Sequence, residues 1–408
     1  MSKRKYDIVI VGGLGHVGLP LGLSFAREGL KVCLYDVDPQ KAELVRQGRM
    51  PFIEYGAEEI LKDVLKNKRL EISLEQRVVA DAEYVIIAIG TPVDEYLSPK
   101  VRPFLELFSK LNPYLDNEQI LIIRSTVYPH TCQQITNFLD RERGPWHIAY
   151  CPERIVQGHS IRELKELPQL VAGRTKEAEE GSYRLFSKLS PKVIRVSIEE
   201  AELAKLFSNA WRYMQFAIAN QFFMISHNFG VNFNRLRDIM KDSYQRLADL
   251  PSAGFAAGPC LLKDTMQLVA SCNNNFLLGQ TAMMVNEGLP NFIVDDLKNH
   301  YDLSLKRVGI LGMAFKADID DIRDSLSYKL VKILKFYSAE VFCSDDYVKD
   351  PNFLSKEKLI EICDIIIIGA PHSQYRDLEI PSDKKVIDLW GIVSQEKHGT
   401  VESYALKG

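Results

Sequence analysis

The sequence lacks the features that mark several broad classes of protein. No apolar run in its 408 residues approaches the ~18–20 residues that a membrane-spanning helix needs. The net charge is only −3, so a broad basic surface for nucleic acid or for an anionic membrane is not expected. Any phosphate group that binds must therefore be held by a local binding motif.

Paired cysteines and paired histidines are missing as well. The seven cysteines are scattered without a Cys-x-x-Cys pair, which argues for free thiols in a reducing compartment. The eight histidines form no pair at helical spacing, so no metal site is expected. The basic start of the chain leads into an apolar run that breaks at glycines too soon for a signal peptide, and we predict a cytoplasmic protein.

The composition, 46% hydrophobic and 26% charged, is that of a globular protein with sizeable cores. Up to about Val196, short apolar runs alternate with amphipathic stretches, which predicts a doubly wound, Rossmann-like α/β domain with a parallel sheet. The predicted strands are YDIVIV, KVCLYDV, YVIIAIG, ILIIRST, WHIAY and KVIRV.

A long helix should follow, because 197–230 contains no proline and no internal glycine. Ser197 and Glu200 have the spacing of a capping box, and Gly230 is a suitable stop. So long and apolar a helix needs cover on several sides, so we expect it to join two domains and to form part of a subunit interface.

A second Rossmann-like block is predicted near the C-terminus from the runs KRVGILG, AEVFCSD, CDIIIIGA and KKVIDLW. The expected organisation is therefore a cofactor-binding domain over 1–198, a central helical domain over 199–300 and a second Rossmann-like domain over 301–408.

A dinucleotide-binding motif follows the first predicted strand. Gly13-x-Gly15-x-x-Gly18 lies between a strand and a helix, where the first glycine allows a tight turn, the second admits a pyrophosphate and the third lets the helix lie close to the strand. Asp36, at the end of the second strand, would accept hydrogen bonds from a ribose and repel a 2′-phosphate, which favours NAD over NADP.

Two further groups indicate chemistry. Lys205 and Asn209 lie four residues apart on one face of the long helix, where they could hold an alcohol or its alkoxide, although such pairs are often only solvated surface residues. Cys260 lies at or just before a predicted helix, with Lys263 nearby. A helix N-terminus and a cation both favour the nucleophilic thiolate, whereas the other six cysteines are expected to be small core hydrophobes.

Seven segments of the chain form a recognisable set. In order, they are GLGHVGLP, IGTPVDE, RSTVYPHT, YCPERIVQG, AELAKLFSNAWR, GPCLLKDT and GMAFKADIDDIRDS. Together they resemble the nucleotide-sugar 6-dehydrogenases, the family of UDP-glucose and UDP-N-acetylhexosamine dehydrogenases. The resemblance extends from about Tyr6 to Trp390.

This resemblance implies a homodimer that oxidises the C6 alcohol of a UDP-sugar to a carboxylate, a four-electron reaction that uses two NAD in turn. Cys260 would capture the aldehyde as a thiohemiacetal, which becomes a thioester and is hydrolysed. Lys205 and Asn209 would hold the C6 oxygen, Asp264 and Thr126 would position the hydrolytic water, and Glu153 would do acid–base work.

The binding residues are implied in the same way. Lys316 and Arg323 would face the diphosphate of the sugar nucleotide, and Arg246 resembles an arginine that reaches the partner subunit's site. The implied cofactor-binding residues are Gly13, Gly15, His16, Val17, Gly18, Asp36, Thr91 and Thr126. The implied substrate-binding residues are Glu153, Arg154, Lys205, Asn209, Arg246, Gly258, Lys316 and Arg323.

Purely structural roles remain open for some of these residues. Glu153 and Arg154 could form an ordinary loop ion pair, and Thr126 could cap a turn. The family loop before the thiol is usually richer in glycine. Ala256 and Ala257 should therefore narrow the space for the sugar, and Pro259 should stiffen the loop.

The substrate and the reaction also have alternatives. CPERIVQG is more similar to the N-acetylhexosamine branch and CLLKD to the UDP-glucose branch, with a slight preference for a UDP-N-acetylhexosamine. A two-electron β-hydroxyacid dehydrogenase would also use a Lys and an Asn four apart, but would leave Cys260 idle. A non-enzymatic NAD-binding protein on the same fold is the remaining alternative.

Overall fold

The computed structural model describes residues 4–393, apart from 92, 95, 98, 99, 101, 338 and 339 and the side chains of 142 and 143. The chain forms two compact units, Met1–Ser208 and Asn209–Gly408. The first unit extends beyond the predicted boundary at 198, and the predicted central and C-terminal domains fall together in the second. The division into three domains stays a prediction.

The first unit is built on one eight-stranded sheet. Its strands are β1 (Tyr6–Val11), β2 (Val32–Tyr35), β3 (Leu70–Ser73), β4 (Ala82–Ile87), β5 (Ile120–Ile123), β6 (His147–Tyr150), β7 (Gln169–Gly173) and β8 (Val193–Arg195). Their spatial order is β3-β2-β1-β4-β5-β6-β7-β8. The first six follow the Rossmann order, which places a ligand crevice at the carboxyl ends of β1 and β4.

All six predicted strands of this sheet are present, and two further strands were missed. Strand β3 lies at the sheet edge and is partly exposed, and β7 is a short run that ends in glycine. Neither strand therefore contains a long apolar run that sequence analysis could detect. The expectation of a parallel sheet is wrong at one junction, because β6 and β7 pair antiparallel with Ala149 opposite Gly173.

Helices cover this sheet on both faces. They are α1 (Gly18–Arg27), α2 (Pro39–Arg46), α3 (Ala57–Lys66), α4 (Arg102–Leu111), α5 (Thr131–Arg143), α6 (Ser160–Glu166) and α7 (Lys176–Phe186). Successive residues of β1 enter opposite cores, since Ile8 and Ile10 pack on one face and Val9 and Val11 on the other. Burial on both faces explains why these strands are almost continuously aliphatic.

The long helix predicted over 197–230 is α8 (Ile198–Asn228). Its capping box is confirmed: the Ser197 amide donates to Glu200 Oε2 at 2.7 Å, and the Glu200 amide donates to Ser197 Oγ at 3.1 Å. Gly230 ends it in the left-handed region with φ 67°, and the Val231 amide donates back to the Ser226 carbonyl at 2.8 Å.

The second unit contains helices and a four-stranded parallel sheet. The helices are α9 (Phe233–Lys241), α10 (Leu261–Ser271), α11 (Leu277–His300), α12 (Leu326–Phe336) and α13 (Lys356–Ile362). The strands are β9 (Arg307–Leu311), β10 (Glu340–Ser344), β11 (Ile365–Ile368) and β12 (Lys385–Ile387), in the order β10-β9-β11-β12. All four predicted strands are confirmed. No helix among the described residues is both long and apolar enough to span a membrane.

Candidate active site

One edge of the first unit gathers most of the predicted cofactor and acid–base residues. The glycine turn follows β1, Asp36 follows β2, Thr91 follows β4, Thr126 follows β5 and Glu153 follows β6. All five strands are parallel, so their carboxyl ends open at the same edge of the sheet.

The glycine turn has the shape of a dinucleotide-binding loop, with one correction. The left-handed residue is Gly12, with φ 77°, rather than Gly13. Gly13 has another reason to be glycine, because a Cβ there would lie 2.8 Å from the Cβ of Leu34 in β2. At Gly18 a Cβ would lie 2.3 Å from the Gly12 carbonyl oxygen, so the third glycine does let α1 approach the turn.

The loop fits NAD at both of the places that the motif requires. A Cβ at Gly15 would meet only the Gly12 oxygen, at 3.5 Å, so the backbone is open where a pyrophosphate would approach the start of α1. Asp36 Oδ2 accepts the Leu14 amide at 2.9 Å and Oδ1 accepts the Val37 amide at 2.8 Å, which fixes the carboxylate beside the turn.

The structure also locates two more predicted residues of the turn, Val17 and His16. Val17 is the N-cap residue of α1, and the helix has no side-chain cap there. The uncapped amides of a helix N-terminus are the donors that an anionic ligand uses. The His16 ring lies 4.0 Å from the ring of Phe52, centroid to centroid.

The structure brings Thr91 and Thr126 together. The Thr91 hydroxyl donates to the Thr126 carbonyl at 2.5 Å, and Ser125 Oγ donates to the Ile89 carbonyl at 2.7 Å. These bonds tie the loop after β4 to the loop after β5, at the edge where the nicotinamide half of a dinucleotide is expected.

Glu153 is buried and forms an ion pair with Arg124. The alternative interpretation, an ion pair between Glu153 and Arg154, is therefore wrong. Arg124, fully buried at the end of β5, donates to Glu153 Oε2 from Nε at 2.9 Å and from Nη2 at 2.5 Å. The amides of Arg154 and Ile155 donate to Oε1 at 2.7 and 3.0 Å. Before it could take a proton, Glu153 would have to release one of these four hydrogen bonds.

Arg154 has a different partner, since its guanidinium donates to the Pro168 carbonyl. Burial, reinforced by the nearby charge of Arg124, lowers the pKa of Arg154. A half-buried cation of this kind suits an anionic ligand, which would restore the lost solvation.

Lys205 is a buried cation in the first unit. The residue is 8% exposed, and among the described residues its ammonium makes neither a hydrogen bond nor an ion pair. The ammonium itself keeps some contact with solvent, so it is available to a ligand oxygen.

In the second unit, the structure brings Asn209 and Asp264 together. Asn209 Nδ2 donates to Asp264 Oδ2 at 2.5 Å, which joins α8 to α10 across 55 positions of sequence. The Asp264 side chain is almost fully buried, and Lys263 Nζ lies 2.7 Å from its Oδ1. The Lys263 charge, which the sequence pattern assigned to the thiol, is thus also engaged with a carboxylate.

Cys260 is the N-cap residue of α10 and is exposed. Its position at a helix N-terminus is therefore confirmed, and the partial positive charge there favours a thiolate. A second cation lies near it: hydrogen bonding to Asp321 raises the pKa of Arg323, and the charge of Cys260 contributes to the same rise.

The other cysteines lack this environment. Burial raises the pKa of the Cys33 and Cys151 thiols to about 12 and that of Cys343 and Cys363 to about 11. Burial also raises the pKa of Cys132 well above its ordinary value. These five side chains therefore remain neutral thiols near neutral pH.

One cysteine departs from the expectation of core hydrophobes. Cys272 is exposed at the C-cap of α10, where the chain leaves the helix through a polar turn. The C-terminal end of a helix carries partial negative charge. Cys260 and Cys272 thus lie at electrostatically opposite ends of one helix.

The loop before the thiol is shaped by close packing. Gly258 has φ 97°, and a Cβ there would lie 2.4 Å from the ring of Phe315, the residue before Lys316. The expectation that alanine narrows the sugar site is wrong for Ala256, because its methyl group is buried against Tyr213 and Ala282 in the helical core.

The predicted arginines of the second unit are both exposed. Arg323 donates from Nε to both carboxylate oxygens of the buried Asp321 at 3.0 Å and from Nη2 to Oδ2 at 2.6 Å. Arg246 lies on the short 3₁₀ turn Gln245–Leu247. Its reach towards a partner subunit stays a prediction.

Several residues that organise the site were missed. Arg124 fixes Glu153, Asp321 fixes Arg323, and Asn220 and Asn286 are fully buried beside the thiol loop. The signal available for Arg124 was a cation directly after an aliphatic strand, where a buried charge needs a partner. Among the described residues, no group of three or more His, Cys, Asp or Glu side chains could hold a metal ion.

Comparison with known proteins accounts for most of the chain. Three domain models of the UDP-glucose/GDP-mannose dehydrogenase family match: the NAD binding domain at residues 7–190, the central domain at 199–288 and the UDP binding domain at 309–395.

Individual relatives agree with the family models. The chain is 27% identical to the UDP-N-acetyl-D-mannosamine dehydrogenase of Pyrococcus horikoshii, over 96% of this chain and 97% of that protein. It is 25% identical to an NDP-N-acetyl-D-galactosaminuronic acid dehydrogenase of Ralstonia nicotianae, over 97% and 99%. The solved structure of the Pyrococcus horikoshii UDP-D-ManNAc dehydrogenase matches with a TM-score of 0.87 at 26% identity, covering 95% of this chain and 96% of that one. The chain belongs to the UDP-glucose/GDP-mannose dehydrogenase family and is an NAD-dependent oxidoreductase.

Proposed function

We propose that this chain oxidises the C6 alcohol of a UDP-N-acetylhexosamine to the uronic acid, in a four-electron reaction with two NAD and a covalent intermediate on Cys260. The observation that carries the proposal is the arrangement on α10. An exposed cysteine caps the helix, and the buried Asp264, four residues on, is bound to Asn209. A two-electron hydroxyacid dehydrogenase has no use for that thiol.

The first step is removal of a hydride from C6. NAD, which the glycine turn and Asp36 would hold, would supply the hydride acceptor. Lys205 and Asn209 hold the C6 oxygen, and the Lys205 ammonium stabilises the negative charge that develops there as the alcohol releases its proton to solvent water. The amide of Asn209 is kept in one orientation by its hydrogen bond to Asp264.

The second oxidation depends on sulfur. The Cys260 thiolate adds to the C6 aldehyde and the oxygen takes up a proton, which gives a thiohemiacetal. Loss of that proton and of a second hydride from C6 then leaves a thioester. Covalent capture holds the half-oxidised sugar while the reduced cofactor is exchanged for a second NAD.

Hydrolysis completes the reaction. Water adds to the thioester carbonyl, the carbon–sulfur bond breaks, and the carboxylate and the free thiol result. We propose that Asp264 and Thr126 orient the water. Glu153 accepts its proton through Oε1 once one of the two backbone amides that bind this oxygen is released, because the donors on Oε2 belong to the charged Arg124.

We assign the following residues to the sugar nucleotide. Lys316 and Arg323 would pair with the diphosphate, Gly258 would let the loop approach the sugar, and Arg154 adds a half-buried cation. A UDP-N-acetylhexosamine is supported by the names of the relatives, and UDP-N-acetyl-D-mannosamine is the first member to test.

The number of NADH formed per sugar separates the proposal from its rival. A panel of UDP-N-acetyl-D-mannosamine, other UDP-N-acetylhexosamines and UDP-glucose should contain one sugar that yields two NADH per molecule, followed at 340 nm with the product identified by mass spectrometry. An end point of one NADH per molecule would identify a two-electron dehydrogenase.

Replacement of the thiol tests the covalent step. Cys260→Ser should lower uronate formation by about a thousandfold or more, because a hydroxyl of ordinary acidity is a poor nucleophile. NAD affinity, measured by fluorescence titration, should stay unchanged. Cys272→Ser, at the other end of the same helix, is the matched control and should keep full activity. Uronate formation at the normal rate by Cys260→Ser would contradict the covalent role.

Asp36 should decide the choice of dinucleotide. Asp36→Asn keeps an oxygen that can accept the Leu14 amide but removes the charge that repels a 2′-phosphate, so the preference for NAD over NADP should fall by about tenfold, or ~1.4 kcal/mol. The ratio of kcat/KM for the two cofactors measures this. If the ratio does not move, the carboxylate does not face the ribose.

We also propose a homodimer formed through α8. Large exposed apolar side chains recur along this helix and just beyond its end, at intervals of three or four residues apart from one interval of seven, although a stripe of this length is usually covered. They are Leu203, Phe207, Trp211, Ile218, Phe222, Ile225 and Phe229. A second copy presents the same stripe and is therefore complementary to it.

Charge placed on this stripe should separate the copies. The double variant Ile218→Asp and Phe222→Asp is expected to sediment as a monomer in analytical ultracentrifugation while the parent chain sediments as a dimer. Leu305→Asp, at a still more exposed leucine outside α8, should remain dimeric. A double variant that stays dimeric would place the interface elsewhere.

A further inference from the structure

The segment that leads to the thiol, residues 251–259, has little regular structure of its own. It lies between the 3₁₀ turn Gln245–Leu247 and α10. Among its described residues, the segment makes one backbone–backbone hydrogen bond, from the Gly258 amide to the Asp324 carbonyl. This bond is long, at 3.4 Å. The position of Cys260 therefore depends on how side chains hold the segment.

Asn220 holds it at its centre. The side-chain amide of Asn220 makes both backbone hydrogen bonds of Gly254: the Gly254 amide donates to Oδ1 at 2.8 Å, and Nδ2 donates to the Gly254 carbonyl at 3.0 Å. A paired contact of this kind fixes the orientation of the peptide as well as its distance from α8.

Asn286 holds Asn220 in turn. Asn220 Nδ2 also donates to Asn286 Oδ1 at 2.9 Å, and Asn286 Nδ2 donates to the Tyr213 carbonyl in α8 at 3.0 Å. Both asparagines are fully buried. In a low-dielectric interior each bond of such a chain is strong, and each amide has one orientation that satisfies it.

The opposite side of Gly254 is closed by an aromatic ring. A Cβ at this position would lie 2.4 Å from the ring of Trp390. The indole Nε1 of Trp390 donates to the Gly369 carbonyl at 3.3 Å, which anchors the ring to the C-terminal sheet. Gly254 is therefore clamped between an amide and an indole, six residues before the thiol.

We propose that Asn220 is a positioning residue for Cys260: by holding Gly254, it sets the path of the segment that places the sulfur at the N-terminus of α10. This inference rests on the proposed covalent function of Cys260. It assigns a role in the reaction to a helix residue that is not among the implied cofactor-binding or substrate-binding residues.

The experiment compares two truncations in one hydrogen-bonded chain. Asn220→Ala removes both bonds to Gly254. Asn286→Ala is the matched control, since it deletes the same group from an equally buried asparagine of the same network but leaves the Gly254 bonds in place. Both variants should melt several degrees below the parent protein, because each leaves buried polar groups unpaired.

Turnover should distinguish the two variants. Asn220→Ala should lower kcat for uronate formation by about a hundredfold, as expected when a reacting group is misplaced by about 1 Å, while Asn286→Ala should lower it by no more than about threefold. The KM for NAD should be unchanged in both, since the glycine turn lies in the other unit. Equal losses of kcat in the two variants, or a normal kcat in Asn220→Ala, would overturn the assignment.

A second measurement does not depend on the sugar chemistry. Alkylation by iodoacetamide, resolved by peptide mass spectrometry, gives the rate at Cys260 relative to Cys272, the internal reference at the other end of α10. Asn220→Ala should lower this ratio several-fold, because the sulfur is no longer held where the helix N-terminus favours the thiolate. An unchanged ratio would contradict the positioning role, whereas uronate formation by Cys260→Ser would refute the covalent function alone.

Discussion

The chemistry proposed for this protein depends on one buried carboxylate. Asp264 lies almost entirely out of solvent, and an isolated charge there would cost several kcal/mol. Asn209 binds one of its oxygens, and Lys263 lies beside the other. The same contacts that offset the cost of burial also fix the start of α10 against α8. The orientation of the Asn209 amide and the placing of Cys260 at the helix N-terminus are thus linked to a single group.

Electrostatics selects one sulfur among seven. Five thiols are kept neutral by burial, and the two exposed cysteines differ in which end of α10 they occupy. Only the N-terminal end favours a thiolate, and Arg323 adds positive charge there. In the first unit the corresponding constraint is the ion pair of Arg124 and Glu153, which fixes the Glu153 side chain at the sheet edge that also carries the cofactor turn.

Sequence reasoning found those features that are encoded in a short, local pattern of residues. The aliphatic strands, the capping box at Ser197, the glycine turn with Asp36 and the helix N-terminus at Cys260 each follow from short stretches of sequence, and the structure confirms them. It missed the half-exposed strand β3 and the antiparallel pairing of β7, where no periodic signal exists. It also missed Arg124 and Asn220, because a buried polar residue is explained by partners that are distant in sequence, here Glu153 and Gly254.

The intermediate itself provides the most direct test. The enzyme would be quenched in acid during turnover with a UDP-N-acetylhexosamine and NAD, digested and analysed by mass spectrometry. The account predicts an acyl adduct of the uronic acid nucleotide on the peptide that contains Cys260, released by hydroxylamine as a thioester should be. Uronate accumulating over the same interval with Cys260 unmodified at every time point would contradict it.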